Sequence, residues 1–136
     1  MQTYSQHFLP KLQSYQSELL ERLELLVNID SGTGQREGID EIMAYLAQWL
    51  GAIGCSVSLL DSEGFGQNLV ARLRGNGGVR LLLVGHLDTV YSAGAATARP
   101  FHVVDGLAFG PGVIDMKSGV LMGLYSLRAL LESGFD

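Results

Sequence analysis

The sequence predicts an α/β fold, with three αβα layers built around a mixed, mainly parallel sheet. Apolar side chains recur at helical spacing in three segments, and they alternate with polar ones in two others. Residues 79–84 include four consecutive apolar residues, which indicates a strand buried on both faces and flanked by helices. The predicted helices are residues 4–27, 38–50 and 116–131, and the predicted strands are residues 55–60, 68–74, 79–85 and 102–109.

Local signals refine these elements. Proline has no N–H and disrupts a helix interior, so the first helix is expected to break near Pro10. The strands at 55–60 and 68–74 are expected to pair antiparallel across a glycine-containing turn. Residues 102–109 are expected to fold back on themselves around Asp105 and Gly106. The single cysteine, Cys55, cannot form an internal disulfide and is predicted to be a buried strand residue.

Composition excludes some classes of function. The 136 residues fit one domain, 47% are hydrophobic, and the formal net charge is -5 without a basic cluster. This balance argues against partners such as nucleic acid or an anionic membrane surface. The longest apolar run, residues 79–87, is far shorter than the roughly 20 residues that span a bilayer. Residues 1–12 are polar and lack a signal-peptide core, so a cytoplasmic protein is expected.

The first motif that indicates chemistry is Gly-His-Leu-Asp-Thr-Val at residues 85–90, directly after the most apolar predicted strand. Ligand sites in open α/β sheets lie at the carboxyl ends of strands. His86 and Asp88 are two residues apart, so in an extended chain their side chains point to the same side. A neutral imidazole binds zinc, and a carboxylate commonly orients such a histidine. Alternatively, His86 is a half-buried structural histidine and Asp88 caps the following turn.

The second motif is Phe-Gly-Pro-Gly-Val-Ile-Asp-Met-Lys-Ser-Gly at residues 109–119, before the last predicted helix. Its glycines and proline indicate a tight turn. Asp115 is therefore either a metal ligand held by the turn or an ordinary helix N-cap. A nucleotide-binding loop is a weaker alternative, because both common phosphate-binding signatures are missing from the motif. A serine or cysteine hydrolase is weaker still, because the sequence has no Gly-x-Ser-x-Gly motif.

Together, the two motifs resemble the zinc-dependent aminoacylase and carboxypeptidase family. That family includes glutamate carboxypeptidases, aminoacylases, acetylornithine deacetylase and succinyl-diaminopimelate desuccinylase, and the glutamate carboxypeptidase branch is the most similar. Residues 26–34 and 68–75 also resemble segments of that branch. The resemblance extends over residues 20–134 and implies that residues 1–136 are the N-terminal portion, or first half, of a zinc exopeptidase-like catalytic domain.

The resemblance assigns roles to three residues. It implies that His86 binds one zinc, that Asp115 bridges two zinc ions, and that Asp88 supports the histidine and is counted as catalytic. Cobalt or manganese could replace zinc. The implied reaction is hydrolysis of an amide or peptide bond next to a free carboxylate, in a small peptide or an N-acyl amino acid. Ser118 departs from the family, in which glycine is common at this position.

The resemblance also implies that much of the enzyme is missing from these residues. The general-base glutamate, the remaining metal ligands and the lid or dimerisation domain of such enzymes have no counterpart in residues 1–136. We therefore expect this chain alone to bind zinc weakly and to be inactive. The alternative is a non-catalytic module that associates with other chains, including copies of itself as a homo-oligomer. His7 and His102 are interpreted as surface or packing residues.

Overall fold

The computed structural model describes residues 4–134, with side chains from Phe8 onwards, and shows a mixed α/β arrangement. The prediction for the His7 side chain lies outside this part. No helix among the described residues is long and apolar enough to cross a membrane. In chain order the elements are α1 (Tyr4–Ser14), α2 (Gln16–Val27), α3 (Arg36–Ala52), β1 (Ser56–Ser62), β2 (Gly66–Arg72), α4 (Ala95–Ala98), β3 (His102–Val104), β4 (Leu107–Phe109) and α5 (Ser118–Glu132).

The core lies between α2, α3 and α5. Leu26, Ile42 and Leu121 are completely buried, one from each helix. Trp49 and Tyr125 pack with their ring centroids 5.0 Å apart. These are the apolar stripes that the helical periodicity predicted, so the hydrophobic free energy of burial places the three helices against one another.

The first predicted helix breaks at Tyr15, so the prediction of a break near Pro10 was wrong. Pro10 lies inside α1. After α1, the Tyr15 N–H donates to the Leu12 carbonyl at 3.2 Å, and the Tyr15 ring is buried against Tyr125. Packing of this aromatic ring against α5, which is distant in sequence, therefore coincides with the break.

The two predicted antiparallel pairings are confirmed. β1 pairs with β2 from Ser56 opposite Arg72 to Ser62 opposite Gly66. β3 and β4 form a short hairpin in which Asp105 and Gly106 have positive φ angles of 51° and 76°. Each described sheet is antiparallel and has two strands, so a mainly parallel sheet is not found within residues 4–134. Cys55 is buried, as predicted.

The prediction that residues 79–84 form a central strand buried on both faces was wrong for the described part of the chain. This segment is assigned to neither helix nor strand, and its five apolar side chains are 66–86% exposed. A run of apolar residues indicates a tendency to be buried. Burial within a sheet also requires strands that pair with both edges of the segment. Among the described residues no strand pairs with this segment.

Two further elements complete the fold. The short helix α4 follows the first motif, and Asp30 accepts hydrogen bonds from the Gly94 and Ala96 N–H groups at its start. The helix predicted from residue 116 begins at Ser118. A wide turn, Val113–Lys117, precedes it.

Candidate functional site

The structure brings the three predicted site residues together. His86 Nε2 lies 3.1 Å from Asp115 Oδ1, although the two residues are 29 positions apart. On the other side of the ring, His86 Nδ1 lies 3.0 Å from the Asp88 carbonyl oxygen and 3.3 Å from Asp88 Oδ1. One ring nitrogen therefore faces Asp88 and the other faces Asp115.

The wide turn presents Asp115 to His86. Gly112 starts the turn with a φ of 76°, and a Cβ atom there would lie 2.7 Å from Thr89 Cγ2. Asp115 and Met116 have non-helical backbone angles, and the peptide bond between them is cis. The Asp115 side chain is 80% exposed and contacts His86 instead of capping α5. The alternative interpretation of Asp115 as a helix N-cap is therefore wrong.

The groups around His86 favour its charged form. Burial disfavours the charged ring, but the Asp88 carbonyl and the carboxylates of Asp115 and Asp88 outweigh burial. The pKa of His86 is consequently raised above its ordinary value. A metal binds the unprotonated nitrogen, so a proton and a metal compete for Nε2.

Lys117 anchors the wide turn to the end of α2. Its side chain is 1% exposed, and Nζ donates to the carbonyl oxygens of Leu26 at 2.7 Å and Ile29 at 3.2 Å. Burial lowers its pKa to about 8, while Asp30 opposes that shift. The Lys117 N–H also donates to the Gly112 carbonyl at 2.9 Å, which closes the turn that carries Asp115. Apart from the place of Lys117 in the second motif, no sequence signal indicated this role.

A loop at residues 31–33 holds the first motif from the other side. Thr89 N–H donates to the Ser31 carbonyl at 2.8 Å, and Thr33 N–H donates to the Thr89 carbonyl at 2.9 Å. The buried Ser31 hydroxyl donates to the Leu87 carbonyl at 2.9 Å. Thr33 Oγ1 reaches Asp88 Oδ2 at 2.6 Å. Sequence reasoning did not single out these contacts, although this loop lies in the segment 26–34 that resembles the family.

A pocket of about 370 Å³ opens beside the three site residues. Its walls come from the loop after the first motif, from β4 and from the wide turn. Tyr91, Phe109, Val113 and Ile114 are among the residues that line it. The site therefore combines a polar group of His86, Asp88 and Asp115 with apolar walls, as is common for small-molecule sites.

His86 and Asp115 fit two ligands of one metal ion. Atoms bound to zinc at about 2.1 Å in tetrahedral directions lie about 3.4 Å apart, close to the observed 3.1 Å. The imidazole nitrogen and carboxylate oxygen are also suitable donors for zinc. Within the described part of the chain, no three His, Cys, Asp or Glu side chains converge as a ligand set. A catalytic zinc usually has three protein ligands, and the described residues bring together two candidates.

An α/β domain with a histidine–aspartate pair beside a pocket is compatible with a hydrolase. The comparisons with known proteins support similarity to a peptidase family. Residues 82–136, which contain both motifs, match the model for peptidase family M20/M25/M40. The predicted resemblance to this aminoacylase and carboxypeptidase family is thereby confirmed.

Two curated relatives are similar over much of the chain. Carboxypeptidase G2 from Pseudomonas sp. (strain RS-16) is 40% identical over 121 residues, which is 88% of this chain and 29% of that protein. Acetylornithine deacetylase from Vibrio cholerae is 39% identical over 84 residues, which is 60% of this chain and 22% of that protein. The chain therefore spans less than a third of the length of these relatives.

The fold is also similar to that of human carnosine dipeptidase 1. The TM-score is 0.78 over 96% of this chain and 32% of that structure, with 20% sequence identity. At this level of identity the comparison supports the fold alone. It shows that the arrangement of α1–α5 and the two hairpins occurs within a larger protein.

Proposed function

We propose that this chain forms part of the active site of a metal-dependent hydrolase that cleaves an amide or peptide bond next to a free carboxylate. The observation that carries the proposal is the 3.1 Å approach of His86 Nε2 to Asp115 Oδ1, between two motifs that lie in the family match. The names of the relatives, a carboxypeptidase and an acetylornithine deacetylase, support a small peptide or an N-acyl amino acid as substrate.

In this proposal zinc is the metal, with cobalt or manganese as substitutes. His86 Nε2 would hold one ion, and the Asp115 carboxylate would be shared between two ions, as the family resemblance implies. Metal held there would polarise the scissile carbonyl group and make a bound water more acidic. His86 Nδ1–H donates to Asp88, whose carbonyl oxygen lies at 3.0 Å and whose Oδ1 lies at 3.3 Å, so that the lone pair of Nε2 points towards Asp115. Asp88 thus sets the orientation and tautomer of the ring.

The proposed site is incomplete within these 136 residues. His86 and Asp115 give one ion two protein ligands and the other ion one, which is below the usual three. We propose that a general-base glutamate and further ligands, as the family resemblance implies, lie in chain outside this sequence. The 136 residues alone are then expected to bind zinc weakly and to lack hydrolytic activity.

The proposal can be tested by calorimetric zinc titration of four variants. We expect weak zinc binding by the unaltered chain, and a loss of at least tenfold in affinity in His86→Ala and Asp115→Asn, because each removes a ligand. The matched controls are His102→Ala and Asp105→Asn, which change the same residue types on the β3–β4 hairpin, and both should bind zinc normally.

Two outcomes would contradict the proposal. Zinc binding that is equal in the unaltered chain, His86→Ala and Asp115→Asn would show that these residues are not ligands. Turnover of an N-acyl or glutamyl substrate by the 136-residue chain at an ordinary enzymatic rate would show that the site is complete. The second result would leave the ligand assignment intact and remove only the claim of incompleteness.

The second candidate function is a module that associates with other chains. The exposed apolar side chains at residues 79–84 favour it, because an unpaired apolar segment promotes association. The two functions are compatible if this segment is a strand of a larger, mainly parallel sheet in a three-layer αβα domain. In that case the association of the isolated chain is a consequence of the same unpaired strand.

A further inference from the structure

We propose that Thr33 is a positioning residue that holds the Asp88 carboxylate in the orientation that supports His86. The expected effect of Thr33 on metal binding rests on the proposed function. The expected effect of Thr33 on the Asp88 side chain does not. Thr33 lies outside both motifs, 55 residues before Asp88 in the sequence.

The contact between the two side chains has the geometry of a strong hydrogen bond. Thr33 Oγ1 lies 2.6 Å from Asp88 Oδ2, which is within the range of a hydroxyl donating to an ionised carboxylate. The other acceptor near this hydroxyl, the Thr89 carbonyl oxygen, lies 3.4 Å away. A hydroxyl has one proton, so the shorter, charge-assisted contact with Asp88 is the one that Thr33 makes.

The backbone around Thr33 is held in place independently of its side chain. Gly32 forms a parallel bridge with Thr89, and backbone hydrogen bonds of 2.8 and 2.9 Å join this loop to Thr89 on both sides of the bridge. A Cβ atom on Gly32 would overlap the Tyr91 carbonyl oxygen, so the two segments are in close contact. The Thr33 backbone is therefore fixed relative to the first motif, independently of the contact between its hydroxyl and Asp88.

The two oxygens of Asp88 consequently have different partners. Oδ2 accepts from Thr33, and Oδ1 faces His86 Nδ1 at 3.3 Å. The Asp88 side chain is 39% exposed, so packing alone leaves the carboxylate free to rotate towards solvent. A second fixed donor on Oδ2 opposes that rotation and keeps Oδ1 against the histidine.

The direct test measures the rotamer of Asp88 in the metal-free chain. Three-bond NMR couplings to the Asp88 carboxyl carbon report its χ1 angle in the unaltered chain, in Thr33→Val and in Thr33→Ser. We expect one rotamer in the unaltered chain and in Thr33→Ser, which keeps the hydroxyl. Thr33→Val has nearly the same shape without the donor, and we expect averaged couplings from several rotamers.

Zinc titration gives the functional readout. Because Thr33 acts through Asp88, we expect Thr33→Val to weaken zinc binding by about 2- to 10-fold, at or below the roughly 10- to 100-fold loss for direct partners of a metal ligand. Thr33→Ser should restore the affinity. Thr97→Val is the matched control, because this exposed threonine of α4 does not line the pocket, and it should change neither readout.

A single unchanged Asp88 rotamer in Thr33→Val would overturn the inference. Equal averaging of the Asp88 rotamers in Thr33→Ser and in Thr33→Val would also overturn the inference. In that case the hydroxyl would not be the cause of the single rotamer. If the unaltered chain binds no zinc but Thr33→Val still frees the Asp88 side chain, the proposed function fails and the positioning role of Thr33 stands.

Discussion

At the scale of single residues, Lys117 shows how a buried charge can organise a site that it does not touch. Its ammonium group lies at the carboxyl end of α2, where helix carbonyl groups lack intrahelical donors. The partial negative charge at a helix C-terminus favours a cation there. Lys117 therefore joins α2 to the turn that presents Asp115.

Replacement of Lys117 should destabilise the fold. In Lys117→Met the Leu26 and Ile29 carbonyl oxygens lose their donor in a buried place, so we expect the free energy of unfolding to fall by about 1–3 kcal/mol. Urea denaturation measures this change. Lys11→Met is the control, because Lys11 forms a partly exposed ion pair with Glu132, and its loss should lower the free energy of unfolding less than Lys117→Met does. An unchanged midpoint in Lys117→Met would contradict the anchoring role.

The sequence motifs indicate some residues of the candidate site but not others. His86, Asp88 and Asp115 are residue types with evident metal chemistry, and each lies in a short glycine-containing motif. Thr33 and Lys117 act by hydrogen bonds to partners 55 and 91 residues away, respectively. Such contacts leave no periodic or compositional signal, so only the folded chain reveals them.

At the scale of elements, a charged network joins α1, α2 and α5. It consists of Lys11, Glu18, Arg22, Arg128 and Glu132. Arg128 Nη1 lies 2.8 Å from Glu18 Oε2, and Arg128 Nε lies 2.6 Å from Glu132 Oε1. The Arg22 guanidinium lies 4.3 Å from the centre of the Trp49 ring on α3. The network thus links the apolar core to the outer faces of the helices.

This network should make stability depend on acid pH. Hydrogen bonds from Lys11 and Arg128 lower the pKa of Glu132 from 4.5 to about 2. Burial disfavours the charged form of Glu18, but its bonds to Arg22 and Arg128 outweigh burial and lower its pKa too. The folded chain then binds fewer protons than the unfolded chain, so the stabilisation is complete above about pH 4.5 and is lost as the pH falls towards 2.

The pH dependence can be measured as the thermal unfolding midpoint between pH 6 and pH 2, roughly the range over which carboxylates titrate. Glu132→Gln should lower the midpoint at pH 6 and flatten its fall with acid. Glu41→Gln, an exposed glutamate on α3, is the matched control and should follow the unaltered chain. A Glu132→Gln profile as steep as that of the unaltered chain would contradict this account.

Helices and strands were predicted correctly where the local pattern of apolar residues agrees with their burial or pairing in the folded chain. α3 and α5 have apolar stripes that are buried, and the alternating pattern of β1 and β2 matches an antiparallel hairpin. The break in the first helix was misplaced because Tyr15, which has no turn signal of its own, packs against Tyr125. Proline destabilises a helix interior locally, but in this chain the break in the first predicted helix coincides with a long-range aromatic contact.

At the scale of the whole molecule, the exposed residues 79–84 are the main departure from a self-contained domain. Leu81 and Leu82 are 84% and 86% exposed. A pocket of about 450 Å³, lined largely by apolar side chains, adjoins the end of this segment between α3 and α5. Exposed apolar surface of this kind favours self-association of the isolated chain.

Self-association should depend on this segment. Light scattering of the 136-residue chain should show a mass above that of a monomer that increases with concentration. Leu82→Lys places a charge on the segment and should shift the population towards monomer. Met122→Lys, a matched change at a 57% exposed residue on α5, should not. A monomeric unaltered chain at all concentrations would contradict the prediction.

The sequence by itself determined the three core helices, the two antiparallel pairings and the family resemblance, and it named three candidate site residues whose roles stay predictions. Each depends on residue type and short spacing, which a sequence records directly. The tertiary structure decided the break at Tyr15, the exposure of residues 79–84, and the contacts that Thr33 and Lys117 make around the site. These depend on which distant segment supplies the partner. Burial and hydrogen bonding are properties of pairs of segments, so they are settled only when the chain is folded.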